Sequence, residues 1–253
     1  MILAIDVGNT NIVVGCRQPL LSWRLSTHPI RTADEFRAEL RALLEAEGIS
    51  FKKLEAVVVS SVVPQATAMI RASFSRSAAS LHVIDHSWPF SFTIKTKNPE
   101  QIGADRLVNA EAVMREFGAP AIIVDSGTAT TLCAVSAKKE YWGGAIMPGI
   151  ELSIETLARR AAKLFTIELT PPSRAIGETT DEALRSGILF GYASMIDGMV
   201  RRFKQELGEP SARVIATGGV STLLKGISSE LTDLDPDLTL KGIFHLYESI
   251  RAR

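Results

Sequence analysis

The sequence contains few cysteines and no excess of charge of either sign. Its two cysteines, Cys16 and Cys133, cannot form a disulfide framework, and no C-x-x-C or Cys/His cluster offers a zinc site. This usage favours a reducing cytoplasm. The 28 Lys and Arg residues equal the 28 Asp and Glu residues in number, so no surplus of positive charge is available to hold a nucleic acid. We therefore expect a cytoplasmic protein without a nucleic-acid partner.

Membrane segments and P-loops are also missing. The longest uncharged run, Ala56 to Ile70, is interrupted by two serines, a proline and a glutamine, so it falls short of a membrane span. Asp6 ends the N-terminal apolar stretch too early for a signal peptide. The pattern G-x-x-x-x-G-K-[ST] does not occur, which excludes a P-loop kinase by motif. We expect no membrane partner.

What remains is a composition typical of a soluble globular protein. The 253 residues are 46% hydrophobic and 22% charged, enough for one large domain or two ordinary ones. The apolar patterns of the first third predict the order β-β-β-α-β-α-β. The predicted strands and helices lie at 2–6, 11–16, 20–26, 32–47, 54–62, from 64 to about 79, and 81–85.

The second half repeats this beginning. The segment ILAIDVGNTNIVVGC (2–16) and the segment AIIVDSGTATTLCAV (121–135) both read as an apolar run, Asp, a small residue, Gly, polar residues and a second apolar run. This internal duplication predicts two similar α/β domains. We place them at 1–117 and 118–253, with the boundary inside EFGAP. Further helices are expected at about 149–163 and 179–207 and from about 222 and 241, with a strand at 212–219.

The turn after the first strand is a candidate phosphate site. Gly8 lets backbone N–H groups approach a phosphate, Asn9, Thr10 and Asn11 add neutral donors, and the Asp6 carboxylate can hold Mg²⁺. An ordinary hairpin turn is the alternative, and a single such turn favours it. The recurrence of the pattern around Asp125 favours two phosphate-facing loops instead.

Two other segments contain candidate residues. ATGG (216–219) ends a strand with two glycines, where an adenosine can lie against bare backbone, although a tight turn without a ligand explains it equally well. In NPEQIGADR (98–106), Asp105 can take a proton from a hydroxyl and Arg106 can hold a carboxylate. Local sequence alone favours a simple helix-dipole role for Asp105.

Taken together, these motifs resemble those of the type III pantothenate kinases. DVGNTN (6–11), GADR (103–106), DSGTATT (125–131) and TGG (217–219) occur in the order and spacing of that family, and the resemblance covers essentially the whole chain. The family belongs to the acetate and sugar kinase, Hsc70 and actin superfamily, whose duplicated domains clasp ATP. The resemblance thus implies an α/β fold of two duplicated actin-like (ribonuclease H-like) domains, with mixed β-sheets flanked by helices.

The resemblance also implies an activity. Members transfer the γ-phosphoryl group of ATP to pantothenate, giving 4′-phosphopantothenate in the first step of coenzyme A biosynthesis. They use Mg²⁺ and a monovalent cation, K⁺ or NH₄⁺, and are homodimers. A Bvg-type transcriptional accessory factor is the main alternative, but zero net charge and the lack of a DNA-reading motif argue against it. A sugar or acetate kinase, or an actin-like ATPase, has no reason to carry GADR here.

Site residues follow from the matched motifs. Asp105 corresponds to the catalytic base, Asp125 to the ligand of the monovalent cation, and Asp6 to the residue that organises Mg²⁺. The resemblance and the loop patterns together assign ATP contacts to Asp6, Val7, Gly8, Asn9, Thr10, Asn11, Ile12, Val13, Thr128, Gly218 and Gly219. Pantothenate contacts are assigned to Thr96, Gly103, Ala104, Asp105, Arg106 and Thr180. Thr96 departs from the family, which commonly has a tyrosine there, so a weaker pantothenate contact is expected.

Overall fold

The computed structural model of the protein describes residues 1–17, 20–160 and 167–252. The β-strands in these ranges are β1 (Ile2–Val7), β2 (Asn11–Cys16), β3 (Leu21–Ser26), β4 (Ala56–Ser61), β5 (Ser80–Val83), β6 (Thr93–Ile94), β7 (Ala121–Ser126), β8 (Ala129–Val135), β9 (Glu140–Pro148), β10 (Arg213–Thr217) and β11 (Asp233–Leu234). The α-helices are α1 (Ala33–Ala46), α2 (Pro64–Phe74), α3 (Ala104–Glu116), α4 (Ile150–Arg160), α5 (Thr180–Leu207), α6 (Ser221–Lys225) and α7 (Leu238–Arg251). The end of the helix predicted over 149–163 lies outside the described residues.

The first sheet has the strand order β3-β2-β1-β4-β5. β1 pairs antiparallel with β2 and parallel with β4, and β4 pairs parallel with β5. Valines 57, 58 and 59 of β4 are fully buried, and such a continuous run of β-branched residues is typical of a strand covered on both faces. The mixed sheet thus places the carboxyl ends of β1 and β4 at one edge.

The second sheet repeats this arrangement. Its strand order is β11-β10-β7-β8-β9-β6, and β7 is antiparallel to β8 and parallel to β10, as β1 is to β2 and β4. The predicted duplication is therefore confirmed in strand order and direction. β6 is not among the strands predicted from the sequence, because two residues are too few to show a strand period. It pairs parallel with β9, with Thr93 opposite Glu140.

Two helices begin where the sequence predicted. Thr32 caps α1 and Thr179 caps α5, and each forms a capping box with the glutamate three residues later. Phe36, Leu40 and Leu44 of α1 are buried at intervals of four residues, which turns one face of the helix toward the core of the first sheet. No helix of the described residues is long and apolar enough to cross a bilayer.

Two compact units make up the chain. The first comprises Met1–Ser91, Lys97–Arg115 and Leu238–Arg253, and the second comprises Phe92–Thr96 and Glu116–Asp237. The last helix, α7, therefore lies in the first unit, whereas the predicted division placed all residues after 117 in the second domain.

The helix α7 belongs to the first unit because its apolar face packs there. Leu240, Ile243 and Phe244 are buried with residues of β1, β4 and α3. A Cβ on Gly242 would lie 2.2 Å from the carbonyl oxygen of Val108, so the backbones of α7 and α3 are in close contact. Local sequence shows only that α7 is amphipathic, not which sheet its apolar face covers.

Candidate active site

The first candidate loop joins β1 to β2 and is closed by backbone hydrogen bonds. The N–H of Gly8 donates to the carbonyl of Asn11 at 2.9 Å. Thr27 is buried and donates twice to the loop, from its N–H to the carbonyl of Thr10 at 2.8 Å and from Oγ1 to the carbonyl of Gly8 at 2.7 Å. The conformation of the turn is thus fixed by a residue beyond the motif.

The residues on the two sides of this turn differ in exposure. Asn9 and Thr10 are exposed at its tip, whereas Val7 and Ile12 face each other across the hairpin and are buried in the core. Val13 is half-buried. The loop therefore offers polar side chains and backbone at its tip, and the apolar members of the predicted set hold it to the sheet.

Asp6 lies at the carboxyl end of β1 beside β4. Ser60 Oγ of β4 donates a 2.9 Å hydrogen bond to Asp6 Oδ1, and the two residues are direct neighbours in the parallel register. Because Ser60 is fully buried, it holds the carboxylate from the protein side. Carboxyl ends of strands in open α/β sheets are the usual place for ligands.

Asp105 stands in the first turn of α3, and its carboxylate folds back toward Gly103. Its Oδ1 accepts a 2.8 Å hydrogen bond from the N–H of Arg106. A Cβ on Gly103 would lie 2.4 Å from the same Oδ1 atom and 3.3 Å from Val62 Cγ1. The N–H of Val62 donates to the carbonyl of Val7 at 3.1 Å, so the start of α3 is at the same sheet edge as Asp6.

Burial raises the pKa of the Asp105 carboxyl above its usual range. The hydrogen bond from the Arg106 N–H and the nearby Arg106 charge act in the opposite direction, but they do not outweigh the desolvation. A carboxylate with a raised pKa is a better proton acceptor than an ordinary surface aspartate. Ala104 beside it is buried, and Arg106 is half-buried.

Contacts with α7 support α3 near its start. Asn109, one turn after Asp105, is buried, and its Oδ1 accepts a 2.7 Å hydrogen bond from Thr239 Oγ1 at the beginning of α7. Together with the close approach of Gly242 to Val108, this bond fixes the helix that carries Asp105.

The second loop, in the other unit, has a matching construction. Asp125 at the end of β7 is paired in register with Thr131 of β8 and Thr217 of β10. The carbonyl of Thr128 accepts a 3.0 Å hydrogen bond from the N–H of Gly149. A Cβ on Gly149 would lie 2.2 Å from that carbonyl oxygen, so only glycine fits against the loop.

Gly218 brings the end of β10 against the end of β7. Its φ of +92° favours glycine, and a Cβ there would lie 2.6 Å from the carbonyl carbon and oxygen of Ser126. Gly219 has open space where a Cβ would stand. The structure thus brings Gly218 together with the loop that contains Asp125 and Thr128.

Thr96 and Thr180 of the second unit have different surroundings. Thr96 follows β6 and is half-buried, and a Cβ on Gly143 would lie 3.3 Å from its Cγ2. Its Oγ1 is buried and has no hydrogen-bond partner among the described residues. Thr180 is the exposed first residue of α5, and no hydrogen bond within the described ranges joins it to another predicted site residue.

Several supporting residues escaped the sequence reasoning. Ser60 is a polar interruption of the apolar run 56–70, and Gly149 follows the Met-Pro pair at the end of an apolar stretch, so both left a signal in the sequence. Thr27 and Thr239 left none, because their contacts with Gly8 and Asn109 join distant parts of the chain.

The oxygen donors at the two aspartates fit the expected ions. The described residues contain no group of three or more His, Cys, Asp or Glu side chains placed to hold a metal. Mg²⁺ in kinases is held by one or two carboxylates together with substrate phosphates and water, and the Asp6 carboxylate is a donor of the type that such a site uses. Asp125 offers a carboxylate beside Thr131 and Thr217, and hard cations prefer oxygen ligands.

Comparison with known proteins identifies the family. The family model for type III pantothenate kinase matches residues 2–202. A type III pantothenate kinase of Rubrobacter xylanophilus is 44% identical over 264 residues, with all of both chains covered. The chain belongs to the type III pantothenate kinase family. It is accordingly an enzyme of the kinase class, as the four motifs predicted.

Solved structures confirm the fold. A protein from Campylobacter jejuni assigned to the Baf family of transcriptional activators aligns with a TM-score of 0.66 at 18% identity, covering 99% of this chain and 100% of that one. The activator of 2-hydroxyisocaproyl-CoA dehydratase from Clostridium difficile, with bound ADPNP, aligns with a TM-score of 0.54 at 12% identity and 99% and 97% coverage. At these identities the likeness concerns the fold alone, which is the predicted actin-like α/β architecture.

Proposed function

We propose that this member of the type III pantothenate kinase family phosphorylates the terminal hydroxyl of pantothenate with ATP, giving 4′-phosphopantothenate and ADP. The observation that carries this proposal is the Asp105 carboxylate, half-buried at the start of α3 with a raised pKa, at the same end of the sheet as Asp6 near the end of β1. Phosphoryl transfer needs mainly positioning and charge neutralisation, with a carboxylate to accept the proton of the nucleophile.

Asp105 acts as the general base. Its carboxylate orients the pantothenate hydroxyl and accepts its proton while the hydroxyl oxygen forms a bond to the γ-phosphorus of ATP. The bond from that phosphorus to the β,γ-bridging oxygen breaks, and ADP leaves with the electron pair. Burial supports this role because the free carboxylate is poorly solvated and gains by accepting a hydrogen bond.

The loop from Asp6 to Val13 binds the ATP phosphates. Asn9 and Thr10 are exposed at its tip and offer donors, and Gly8 leaves backbone room for a phosphate. Asp6 would hold Mg²⁺, which neutralises phosphate charge when bound. In the second unit, Thr128 contacts ATP, and Gly218 and Gly219 provide bare backbone for the adenosine.

Pantothenate binds through Gly103, Ala104, Asp105 and Arg106, with further contacts from the second unit. The Arg106 guanidinium suits the carboxylate of pantothenate, since an arginine can bind a carboxylate with two parallel hydrogen bonds. Thr96 has a buried hydroxyl without a partner among the described residues, and a substrate atom would satisfy it. Thr180, exposed at the start of α5, is the second residue of the second unit that contacts pantothenate.

A monovalent cation, K⁺ or NH₄⁺, would be held by Asp125. A carboxylate near the ATP phosphates repels them, and a bound cation reverses the sign of that interaction. Its removal is a direct test: protein freed of K⁺ and NH₄⁺ and assayed in Na⁺ should turn over slowly, whereas a full rate there would remove the cation from the account.

The exposed face of β9 supports a homodimer. Alternate residues of the strand face outward, and Trp142 and Ile146 are 50% and 66% exposed in the single chain. Large apolar side chains in a row on one face are typical of a surface that another chain covers. The buried free cysteines Cys16 and Cys133 agree with a cytoplasmic enzyme.

An assay of ADP release separates this proposal from its rivals. With ATP, Mg²⁺ and K⁺ present, pantothenate should stimulate ADP formation strongly, whereas acetate and simple sugars should not. A Bvg-type accessory factor without kinase activity would give no stimulation by any of them. An actin-like ATPase would release ADP at the same rate with and without pantothenate.

A further inference from the structure

A pocket rich in positive charge lies on the first unit, apart from the candidate active site. It has a volume of about 220 Å³ and lies among α1, the short 3₁₀ helix Phe51–Lys53 and the segment after α2. Four of its lining residues are cationic and none is acidic. The lining consists of Arg37, Arg41, Phe51, Lys52, Leu54, Ser73, Arg76, Ser77 and Ala78.

The pocket and the candidate active site are at opposite ends of β4. Leu54 lines the pocket and comes just before the amino end of β4, whereas Ser60, the partner of Asp6, lies near its carboxyl end. The helix α2 shows the same separation, since it begins next to the carboxyl end of β4 and its last residues lead to Arg76 and Ser77. The pocket is therefore separate from the proposed ATP and pantothenate contacts.

Few of the described residues neutralise these cations. Arg37 Nε donates to the carbonyl of Ser73 at 2.8 Å, which positions the guanidinium without cancelling its charge. Arg41 lies over the ring of Phe51, with 5.5 Å to the ring centroid, and 3.9 Å from the exposed carboxylate of Glu45. Within the described ranges, Lys52 and Arg76 form no salt bridge.

The four cations line one site although the chain as a whole has zero net charge. Like charges in one concave site repel each other, and a bound anion reverses that repulsion. Guanidinium groups match phosphate oxygens with paired hydrogen bonds, and a lysine adds a point charge. The volume is below that of typical sites for drug-sized ligands, so it suits one or two phosphate groups rather than a whole nucleotide.

We propose that this pocket binds the diphosphate group of a small phosphorylated molecule, as a site separate from the kinase active site. Arg37 provides the fixed contact, and Arg41, Lys52 and Arg76 close around the anion. Phe51 and Leu54 form an apolar wall for the part of the ligand next to the phosphates.

Inorganic pyrophosphate is the probe that tests the site. It is titrated into the full chain in Mg²⁺-free buffer at constant ionic strength, and backbone amide shifts are followed by NMR. We expect saturable shifts at Ser73, Ser77 and Lys52 with a Kd below about 1 mM, as for several charge-assisted hydrogen bonds together. The variant Lys52→Gln/Arg76→Gln should raise this Kd at least about tenfold.

Matched controls make the result decisive. Neither substituted residue has an ion-pair partner to lose among the described residues, so the variant should fold normally. Lys138→Gln/Arg202→Gln removes the same charge from exposed positions outside the pocket and should leave the Kd unchanged. Arg37→Lys keeps the charge but not the planar group, and should weaken binding by a smaller factor.

Three outcomes would overturn the proposal. The first is a shift confined to the loop 8–11, which would place the anion only at the active site. The second is an equal response of both double variants, or an equal response to chloride, which would indicate general screening. The third is no saturable response to pyrophosphate, whether or not another anion binds; binding of a short single-stranded oligonucleotide that Lys52→Gln/Arg76→Gln abolishes would then make the occupant a nucleic acid.

Discussion

The Asp105 carboxylate lies against Gly103, in space that a side chain at residue 103 would take. A Cβ on Gly103 would stand 2.4 Å from Asp105 Oδ1. The glycine is required by the position of the carboxylate rather than by its own backbone, whose φ is outside the left-handed region. The motif GADR therefore has a physical reason for its first residue, which is to let the third fold back along the start of α3.

Gly103→Ala should displace the Asp105 carboxylate and lower kcat while the protein stays folded. Misplacement of a catalytic group by about 1 Å costs up to about a hundredfold in rate, so we expect a loss of about tenfold to a hundredfold. The KM for ATP should change by less than about threefold. Steady-state kinetics measure both values.

The matched control for this change is Gly191→Ala in the helix α5. A Cβ at Gly191 meets open space, and alanine stabilises a helix interior by about 0.5–1 kcal/mol relative to glycine. This variant should keep full activity and unfold at a slightly higher temperature. Full activity of Gly103→Ala as well would show that the carboxylate position seen here is not the active one.

The pH dependence of kcat/KM should show the raised pKa of Asp105. The base works only as a carboxylate, so activity falls as the pH drops through its pKa, and burial places that midpoint above the usual aspartate range. Because the pKa is raised in the fold, protonation of this group does not destabilise the native state. Circular dichroism at each pH should therefore show a folded protein throughout the acid limb, and a midpoint at or below the ordinary aspartate value would contradict the assignment.

Adjacent glycines at the end of β10 should respond differently to alanine. Gly218→Ala forces a φ of +92° on alanine and sets its Cβ 2.6 Å from Ser126 backbone atoms, so stability should fall by about 2 kcal/mol or more. Gly219→Ala meets no atom within 4 Å and should unfold like the wild type. Thermal unfolding compares the two variants.

The same pair tests the adenosine contact. If adenosine lies against Gly219, Gly219→Ala should raise the KM for ATP about three- to tenfold in a fully folded protein, with the KM for pantothenate unchanged. An unchanged KM for ATP would remove Gly219 from the ATP-binding set.

Thr96 should influence pantothenate binding more than the chemical step. Its buried Oγ1 has no partner among the described residues, so Thr96→Val should leave the free protein as stable or slightly more stable, by about 1 kcal/mol at most. If the hydroxyl bonds pantothenate, the same change should raise the KM for pantothenate about three- to tenfold, with kcat within about threefold.

Thr96→Tyr gives the opposite test. Restoring the aromatic residue common in the family should lower the KM for pantothenate and leave the KM for ATP within about threefold. Loss of all activity would mean that the pocket is built around the smaller residue. If neither variant changes any constant, position 96 does not line the pocket.

Much of this site could be predicted from local sequence because its parts are local motifs. The turn with Asp6 and Gly8, and its repeat with Asp125 and Gly127, each join two consecutive strands, so short-range patterns contain the whole hairpin. The start of the helix predicted over 32–47 is local in the same way, since Thr32 and Glu35 form its capping box.

The parts that were not predicted depend on contacts between distant residues. Thr27 fixes the first loop, Thr239 supports the helix of Asp105, and β6 adds an edge strand to the second sheet. The return of α7 to the first unit is of the same kind. Each depends on where the folded chain brings two segments together, which a hydrophobic period does not encode.

The central claim is best tested by following labelled phosphate from [γ-³²P]ATP into pantothenate with wild-type protein and with Asp105→Asn, in the presence of Mg²⁺ and K⁺. The wild type should place the label on 4′-phosphopantothenate in proportion to ADP formed. Asp105→Asn should bind ATP normally and transfer label at least about a hundredfold more slowly, the usual size of a general-base contribution. Label that never reaches pantothenate with the wild type, or that reaches it at a near-normal rate with folded Asp105→Asn, would contradict this account.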